Sequence, residues 1–192
     1  MRKLIYSMQV TLDGYIAALD GDLSWGLADE ELHRFIGEQI RTAGATICGK
    51  GVYQEMVSYW PTAAEDPNLP DYMLEFAQVW NNSKKYVISR TLENAHPHFT
   101  LIRENAVEEV RKLKEQPGGD IFLSGSQIAA TLINNGLVDE YQLFVHPAII
   151  GSGKPFFPRL EDRIRLQLVE THVFQSGVVV LHYRDLKTGK EA

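Results

Sequence analysis

Cysteine is almost missing from this chain of 192 residues, which contains only Cys48. A single cysteine excludes an intrachain disulfide and a zinc site built from several cysteines. Because Cys48 lies in an apolar segment, we interpret it as a core residue rather than a reactive thiol. Low cysteine use is also typical of proteins in a reducing compartment, so we expect a cytoplasmic location.

Long apolar runs and an excess of positive charge are absent as well. No segment approaches the roughly 20 apolar residues that a membrane helix needs, so we expect no membrane partner. The formal net charge of -6 at pH 7 argues against nucleic acid as a partner, since proteins that bind it usually present a basic face. This charge does not exclude an anionic small molecule, because local dipoles and a few cations decide such binding.

Several familiar site motifs are also missing. The chain has no G-x-G-x-x-G, and the segment Gly151-Ser152-Gly153-Lys154 is not a P-loop, because its glycine spacing is wrong and Pro155 follows the lysine. None of the histidines lies in a recognisable nucleophile motif. We interpret His96-Pro97-His98 as a solvated turn, and we predict no metal site.

Strand-like and helical patterns alternate along most of the chain. Strand-like segments lie at residues 3–10, 45–49, 85–89 and 99–102. Helical patterns separate most of them, including one over 29–43 that begins at the capping residue Asp29. Alternation of this kind predicts right-handed βαβ units and a mainly parallel sheet. The fold class is therefore α/β, with three α/β/α layers and a mixed sheet.

The end of the chain has a different pattern. Apolar and polar residues alternate over 164–174 and 178–184, which predicts a C-terminal antiparallel hairpin. We find no repeat or linker, so we expect one domain over 1–187 and a loose tail over 188–192. The long loop over 11–27 is expected to be functional. Asn105 with Glu108 resembles a capping box at the start of a further helix.

Polar turns follow three of the predicted strands. They are Gly49-Lys50-Gly51, Ser89-Arg90-Thr91 and Ser124-Gly125-Ser126. In a parallel sheet such turns lie at the carboxyl edge, where open α/β sheets bind ligands. Lys50 and Arg90 supply cations, and the turn at Gly125 opens a helix whose free N–H groups suit a phosphate. One such turn would be ordinary, but the three together favour a site for a phosphorylated dinucleotide.

Carboxylates near the start of the chain are candidates for acid–base chemistry. Asp13 directly follows the first strand, and Glu31 lies on the first predicted helix with Phe35 four residues further on, so those two side chains share a face. The alternative is that Asp29, Glu30 and Glu31 form a charged first turn that the helix dipole favours. Trp25 ends the long loop, where it can border a ligand.

The whole chain resembles the dihydrofolate reductase fold, and specifically the reductase domain of the riboflavin-biosynthesis bifunctional deaminase-reductase. The resemblance rests on an ordered series of segments: SMQVTLDGYIA, LSW, ICGKGVYQEM, KYVISRTL, the stretch from Asp120 to Phe157, and the final hairpin. Its order is more specific than any one segment. The deaminase signature, H-x-E with P-C-x-x-C, does not occur, so we expect a reductase-like domain without that half.

The resemblance implies NADPH as the cofactor. Its 2'-phosphate and adenosine would meet Gly49, Lys50, Ser89, Arg90 and Thr91, its pyrophosphate would meet Ser124, Gly125, Ser126, Gln127 and Ile128, and its nicotinamide would lie near Gln9 and Ile16. Asp13-Gly14 matches a pair typical of the riboflavin-type reductases, and the acid on the first helix of dihydrofolate reductases would fall at Glu30 or Glu31. The substrate would contact Trp25, Phe35 and Tyr53.

The activity implied is hydride transfer from NADPH to a C=N or ribosylamino group of a pterin- or pyrimidine-like substrate, as in a 5-amino-6-(5-phosphoribosylamino)uracil reductase. Asp13 or Glu31, or water that they order, would deliver the proton. Three alternatives remain at this point: dihydrofolate reductase activity, a non-catalytic module that binds or senses NADPH, and a structural subunit. The resemblance also implies a homodimer formed through the sheet edge and the C-terminal hairpin.

Overall fold

The structure is a computed structural model that describes residues 1–186, so the predicted tail at 188–192 lies outside the described residues. Its strands are β1 (Leu4–Thr11), β2 (Tyr15–Ala17), β3 (Ala45–Gly49), β4 (Lys85–Ile88), β5 (Phe99–Ile102), β6 (Ile121–Ser124), β7 (Glu140–His146), β8 (Lys154–Pro155), β9 (Leu166–Val173) and β10 (Val179–Asp185). Its helices are α1 (Glu30–Thr42), α2 (Lys50–Ala63), α3 (Asp71–Asn82), α4 (Ala106–Glu115) and α5 (Ser126–Asn134).

Eight of these strands form one mixed sheet in the order β5-β4-β3-β6-β1-β7-β10-β9. The strands from β5 to β7 pair in parallel, whereas β10 pairs antiparallel with both β7 and β9. β2 and β8 form a separate antiparallel pair. The predicted α/β class and the closing hairpin are therefore confirmed.

Apolar side chains on the two faces of the sheet pack against different helices. On one face, Leu4 and Leu123 pack with Val110 of α4 and Leu132 of α5. On the other face, Phe144 of β7 packs with Leu32 of α1. Successive side chains of a strand point to opposite faces of the sheet, so both faces carry apolar residues that pack against helices. This arrangement gives the three layers that the sequence predicts.

Helix starts agree with the sequence in one case and differ in another. The Asp29 carboxylate accepts a hydrogen bond from the Leu32 N–H at 2.8 Å, as expected of a cap for α1. The capping box predicted at Asn105 is wrong, because this residue has a left-handed backbone (φ 54°) and its side chain makes no capping hydrogen bond. Asn tolerates this conformation better than most residues do.

Two segments are more ordered than the sequence suggests. Helix α2 continues to Ala63 with Pro61 inside it, although proline is disfavoured in the interior of a helix. Pro61 lies in the last turn, where its missing N–H removes only one helical hydrogen bond. The long loop after β1 contains the short strand β2.

The amino edge of the parallel sheet buries charged side chains in paired arrangements. Glu140 is only 2% exposed, and its carboxylate lies 2.9 Å from Lys3 Nζ, 2.9 Å from His182 Nε2 and 3.3 Å from Arg184 Nε. Burial raises the pKa of Glu140, but hydrogen bonds and charge from Lys3 and His182 outweigh that effect and lower the pKa overall. Glu140 is therefore held as a carboxylate.

A second buried charge lies at the start of β4. Lys85 is 2% exposed, and its ammonium donates hydrogen bonds to the carbonyl oxygens of Trp80, Asn81 and Ser83 at the end of α3. Carbonyls at a helix C-terminus lack the full set of helical partners, and the lysine binds them, so it caps α3. Burial lowers the pKa of Lys85 to about 8.

Candidate active site at the carboxyl edge

The three polar turns identified in the sequence lie side by side. They follow β4, β3 and β6, which are neighbours in the sheet and run in parallel, so all three turns emerge at one edge. Two of them touch: a Cβ built on Gly125 would lie 3.3 Å from the backbone nitrogen of Gly49. The predicted convergence of the turns is therefore present in the structure.

Both helices that begin at these touching turns lack side-chain caps. Gly49 precedes α2 and Gly125 precedes α5, and neither supplies a side-chain acceptor for the first N–H groups. Gly125 has φ 105°, which favours glycine. Two helix N-termini with open N–H groups at adjoining positions create a favourable place for an anion.

The residues around these two helix starts are partly engaged in packing and hydrogen bonds and partly exposed. Ile128 packs on Gly49, since its Cγ2 would lie 3.4 Å from a Cβ built there. Ser124 Oγ donates to the Ser7 carbonyl at 3.1 Å, and Ser126 is buried at the first turn of α5. Gln127 is exposed, so its side chain is open to a ligand.

The cations expected at the edge are present beside the same turns. Lys50 Nζ donates to Thr91 Oγ1 at 3.1 Å, which links the turn after β3 to the turn after β4. The second turn is fixed by Ser89, whose Oγ accepts from the N–H groups of Thr91 and Leu92. Arg90 is exposed between them and is open to an anionic group.

The carboxyl ends of β1 and β7 form the other part of this edge. Gln9 is half-buried near the end of β1, and Gly26 packs near its Oε1. Ile16 on β2 is half-buried against the core. His146, the last residue of β7, pairs in register with Thr11 and is fully buried, although it was not among the predicted site residues.

His146 and Trp25 contact each other beneath the long loop. His146 Nδ1 accepts a hydrogen bond from the Leu27 N–H at 3.0 Å. The Trp25 ring meets the imidazole edge-on, with ring centroids 5.3 Å apart. Burial lowers the pKa of His146, and the Asp29 carboxylate opposes that shift. The side chain is therefore neutral near pH 7.

Asp13 lies at this edge, but its carboxylate is occupied by structural hydrogen bonds. It accepts from Thr11 Oγ1 at 2.6 Å and from the N–H groups of Ile150 and Gly151 at 3.2 and 2.7 Å. The hydrogen bond from Thr11, followed by those from the backbone, lowers the pKa of Asp13. A group that stays ionised near pH 7 is a poor proton donor. The contacts instead hold the loop at residues 150–151 against the end of β1.

Glu31 and Phe35 face the C-terminal hairpin. Glu31 Oε2 accepts from the Gln175 N–H at 2.9 Å, and its Oε1 lies 3.7 Å from His172 Nε2. Phe35 stacks on His172 and packs edge-on against Phe144 and Phe174. The adjacent Glu30 pairs with Arg34 at the surface. These contacts connect α1 to the hairpin and leave neither acid without a partner.

Tyr53, expected to contact a substrate, is placed in the core. It is 7% exposed, packs edge-on against Phe99, and its hydroxyl accepts from the His96 N–H at 2.9 Å. Residues 52 to 57 follow the helical repeat, so position 53 faces the sheet rather than the open edge. A packing role therefore replaces the predicted substrate contact.

His146 could have been found from the sequence by one signal. It ends a strand-like segment with the same direction as β1, and the carboxyl ends of parallel strands lie at the ligand-binding edge. Within residues 1–186, no helix is long and apolar enough to cross a membrane. The same residues contain no group of three or more potential metal-binding side chains.

Comparison with solved structures agrees with this architecture. A dihydrofolate reductase from Enterococcus faecalis, solved with NADP(H), matches 96% of this chain and 96% of its own chain with a TM-score of 0.65 and 18% identity. A bifunctional diaminohydroxyphosphoribosylaminopyrimidine deaminase/5-amino-6-(5-phosphoribosylamino)uracil reductase from Thermotoga maritima matches with a TM-score of 0.64 and 17% identity. That match covers 96% of this chain and 56% of the Thermotoga chain. The dihydrofolate reductase-like fold is therefore confirmed.

Sequence comparison identifies the family. YyaP of Bacillus subtilis is 36% identical over 183 residues, which cover 95% of this chain and 94% of YyaP. The model of the RibD C-terminal domain matches residues 2–180. The chain therefore belongs to the RibD C-terminal domain family, whose fold it shares with the dihydrofolate reductases.

Proposed function

We propose that this protein is an NADPH-dependent reductase of the riboflavin type, which transfers a hydride to a C=N or ribosylamino group of a flat nitrogen heterocycle. The observation that carries the proposal is the contact between two uncapped helix starts, at Gly49 and Gly125, on neighbouring parallel strands. Such a pair suits a pyrophosphate, because open N–H groups and two helix dipoles act on the same place.

The flanking residues support a phosphorylated dinucleotide in a definite orientation. Lys50 and Arg90 lie at the turns after β3 and β4, on the side of the pyrophosphate site that leads away from β1. They would bind the 2'-phosphate, for which an arginine offers two parallel hydrogen bonds. The nicotinamide would then extend in the opposite direction, across Gln9 and Ile16 at the ends of β1 and β2.

The reaction needs binding, orientation and a proton in addition to the hydride that NADPH supplies. Gln9 and Ile16, which are half-buried, would form the surface on which the nicotinamide and the heterocycle stack, and orientation of this kind lowers a barrier substantially. Asp13 and Glu31 already accept structural hydrogen bonds, so water at the open edge is our preferred proton source. Asp13, which lies at this edge, would act by ordering that water.

Coenzyme preference tests the assigned 2'-phosphate contact. We expect Arg90→Ala to weaken NADPH binding by about tenfold to a hundredfold while changing NADH binding by less than about twofold, since one hydrogen bond to a charged group contributes roughly 1.5–3 kcal/mol. Arg111→Ala, which removes an exposed arginine of α4 paired with Glu108, is the matched control. Equal losses for both coenzymes would contradict the assignment.

Turnover tests the reaction itself. We expect NADPH absorbance at 340 nm to fall when the protein is given 5-amino-6-(5-phosphoribosylamino)uracil, and dihydrofolate serves as the alternative substrate. The Thermotoga neighbour bears the name of that uracil reductase, and the Enterococcus neighbour that of a dihydrofolate reductase. The preferred heterocycle decides between the two activities.

A non-catalytic NADPH-binding module is the second candidate, and one observation favours it. Both predicted acids are engaged, Asp13 with the 150–151 backbone and Glu31 with the hairpin, so neither of the two is free to deliver a proton directly. NADPH binding without oxidation by any tested heterocycle would support the module.

We also propose a homodimer formed through β9, in the cytoplasm. β9 is the edge strand of the sheet, and it exposes Leu168, Val169 and Val173 by 51%, 44% and 68%. An exposed apolar edge strand is prone to pairing with a second copy. Light scattering should give a dimer mass for the unaltered protein and a monomer mass for Val169→Lys, whereas an unaltered monomer would refute the proposal.

A further inference from the structure

His146 has one ring nitrogen whose role is fixed by the fold and another that is unused. Since the Leu27 N–H donates to Nδ1, the neutral imidazole carries its proton on Nε2. His146 is 0% exposed, and among residues 1–186 its Nε2 has no hydrogen-bond partner. A buried N–H without an acceptor destabilises the folded protein.

A second unused donor lies against the same ring. Trp25 Nε1 is also buried and has no acceptor among the described residues. The two rings meet edge-on at 81°, with centroids 5.3 Å apart. Two neighbouring N–H donors without acceptors indicate a place that is completed by an oxygen from outside the protein.

The position of these donors matches the proposed site. His146 ends β7 beside the end of β1, and Gly26, next to Trp25, packs near Gln9. The covering loop is weakly attached: within the described part of the chain, the hydrogen bonds of residues 18–28 close inside the loop, apart from the one from Leu27 to His146. A ligand can therefore reach the donors through a small displacement of the loop.

We propose that His146 donates a hydrogen bond through Nε2 to a carbonyl oxygen of the bound heterocycle, with Trp25 Nε1 as a second donor beside it. His146 is then a substrate-binding residue, and the inference rests on the proposed reductase function. A site with two donors selects heterocycles that present a carbonyl oxygen at this position, and it disfavours analogues with an amino group there, because donors would then face each other.

Two amide variants separate the roles of the two ring nitrogens. His146→Gln places an amide near Nε2 and loses the acceptor for Leu27, whereas His146→Asn keeps that acceptor and loses the donor. With NADPH saturating, we expect KM for 5-amino-6-(5-phosphoribosylamino)uracil to rise about tenfold in the Asn variant and less than about threefold in the Gln variant. The Kd for NADPH should change in neither. A loss confined to Gln, or equal losses in both, overturns the inference.

A measurement on the unaltered sequence keeps the inference testable if a variant folds poorly or if NADPH is not oxidised. Protein labelled with 15N-histidine is titrated with uracil, with and without NADPH, and uracil binding is followed by its own proton signals. We expect a downfield shift of the His146 Nε2 proton on binding. Uracil that binds without this shift, or that does not bind in either condition, overturns the inference. If uracil binding produces this shift but the protein oxidises NADPH with no heterocycle in the turnover assay, the inference about His146 holds and the reductase proposal fails.

Discussion

At the amino edge of the parallel sheet, buried charged side chains are surrounded by partners, whereas at the carboxyl edge several N–H groups are left open. Glu140 is surrounded by Lys3, His182 and Arg184, and Lys85 donates to the carbonyls that end α3. At the opposite edge, α2 and α5 begin without side-chain caps, and His146 Nε2 has no acceptor among residues 1–186.

This difference indicates that the amino edge of the sheet contributes to stability, whereas the carboxyl edge is available for binding. A buried charge is tolerated only when its partners are complete, so the amino edge is closed and contributes to folding. Open donors cost stability, and they persist where an external group completes them. Substitutions at the two edges should therefore affect different measurements.

The largest effect is expected at the closed edge. Glu140→Gln removes the buried carboxylate and leaves Lys3, His182 and Arg184 facing a neutral amide, so the free energy of unfolding should fall by about 3 kcal/mol at pH 7. Urea denaturation measures this loss. NADPH affinity should stay unchanged, and a weakened affinity would contradict the assignment of separate roles to the two edges.

The same variant has a pH signature. Because the pKa of Glu140 is lowered in the folded protein, its carboxylate contributes stability at neutral pH that is lost as pH falls through the folded pKa. The stability difference between the wild type and Glu140→Gln should therefore shrink in acid. Glu109→Gln, which alters a surface pair with Lys112, is the control and should change stability by less than about 1 kcal/mol.

Lys85 provides a smaller effect, in which stability again rises with pH. Its pKa of about 8 in the folded protein lies below the unfolded value, so the unfolded chain binds more protons between pH 8 and 10. Relative to Lys85→Met, the wild type should gain roughly 2 kcal/mol of stability between pH 7 and pH 10. If the free energy of unfolding changes with pH in the same way for both proteins, Lys85 does not titrate in this range.

At the open edge the expected effect is on binding. Gly125→Ala forces a side chain onto φ 105° and places its Cβ 3.3 Å from the Gly49 nitrogen, which disturbs both helix starts. We expect the Kd for NADPH to rise about tenfold, together with a stability loss of roughly 1–2 kcal/mol from backbone strain.

Gly136→Ala is the matched control for this change. Gly136 also has a positive φ, 66°, but a Cβ there would meet nothing within 4 Å. It should lose stability from strain while binding NADPH normally, as calorimetric titration can show. If both alanine variants bind NADPH equally, the Gly49–Gly125 contact is not part of the coenzyme site.

The smallest effect is expected at Glu31, which binds the turn of the C-terminal hairpin. Glu31→Gln keeps an oxygen that can accept from the Gln175 N–H, so stability should change by less than about 0.5 kcal/mol. Because the carboxylate already serves the hairpin, we expect turnover within about twofold of the wild type. A tenfold fall in turnover with unchanged NADPH affinity would instead assign proton delivery to Glu31.

Most of the fold and the coenzyme side of the site could be predicted from local sequence signals. The turns at Gly49, Ser89 and Gly125 each follow a recognisable strand, and parallel strands necessarily bring their ends to one edge. Tyr53 and Asn105 were misjudged, since the face of a helix that meets the core and the backbone angle at a helix start depend on packing. His146 was missed because its environment is made by Trp25 and Leu27, which are more than 100 residues away in the chain.

The sequence by itself determined the alternation of strands and helices, the polar turns and the closing hairpin, because these depend on residue type and short-range periodicity. Only the tertiary structure decided which polar groups are paired and which are left open. Segments distant in the chain decide three such cases: the hydrogen bonds to the Asp13 carboxylate, the ion pair between Glu140 and Lys3, and the lack of an acceptor for His146 Nε2 among residues 1–186. Hydrogen bonds act over about 3 Å, and only folding brings those segments within that distance.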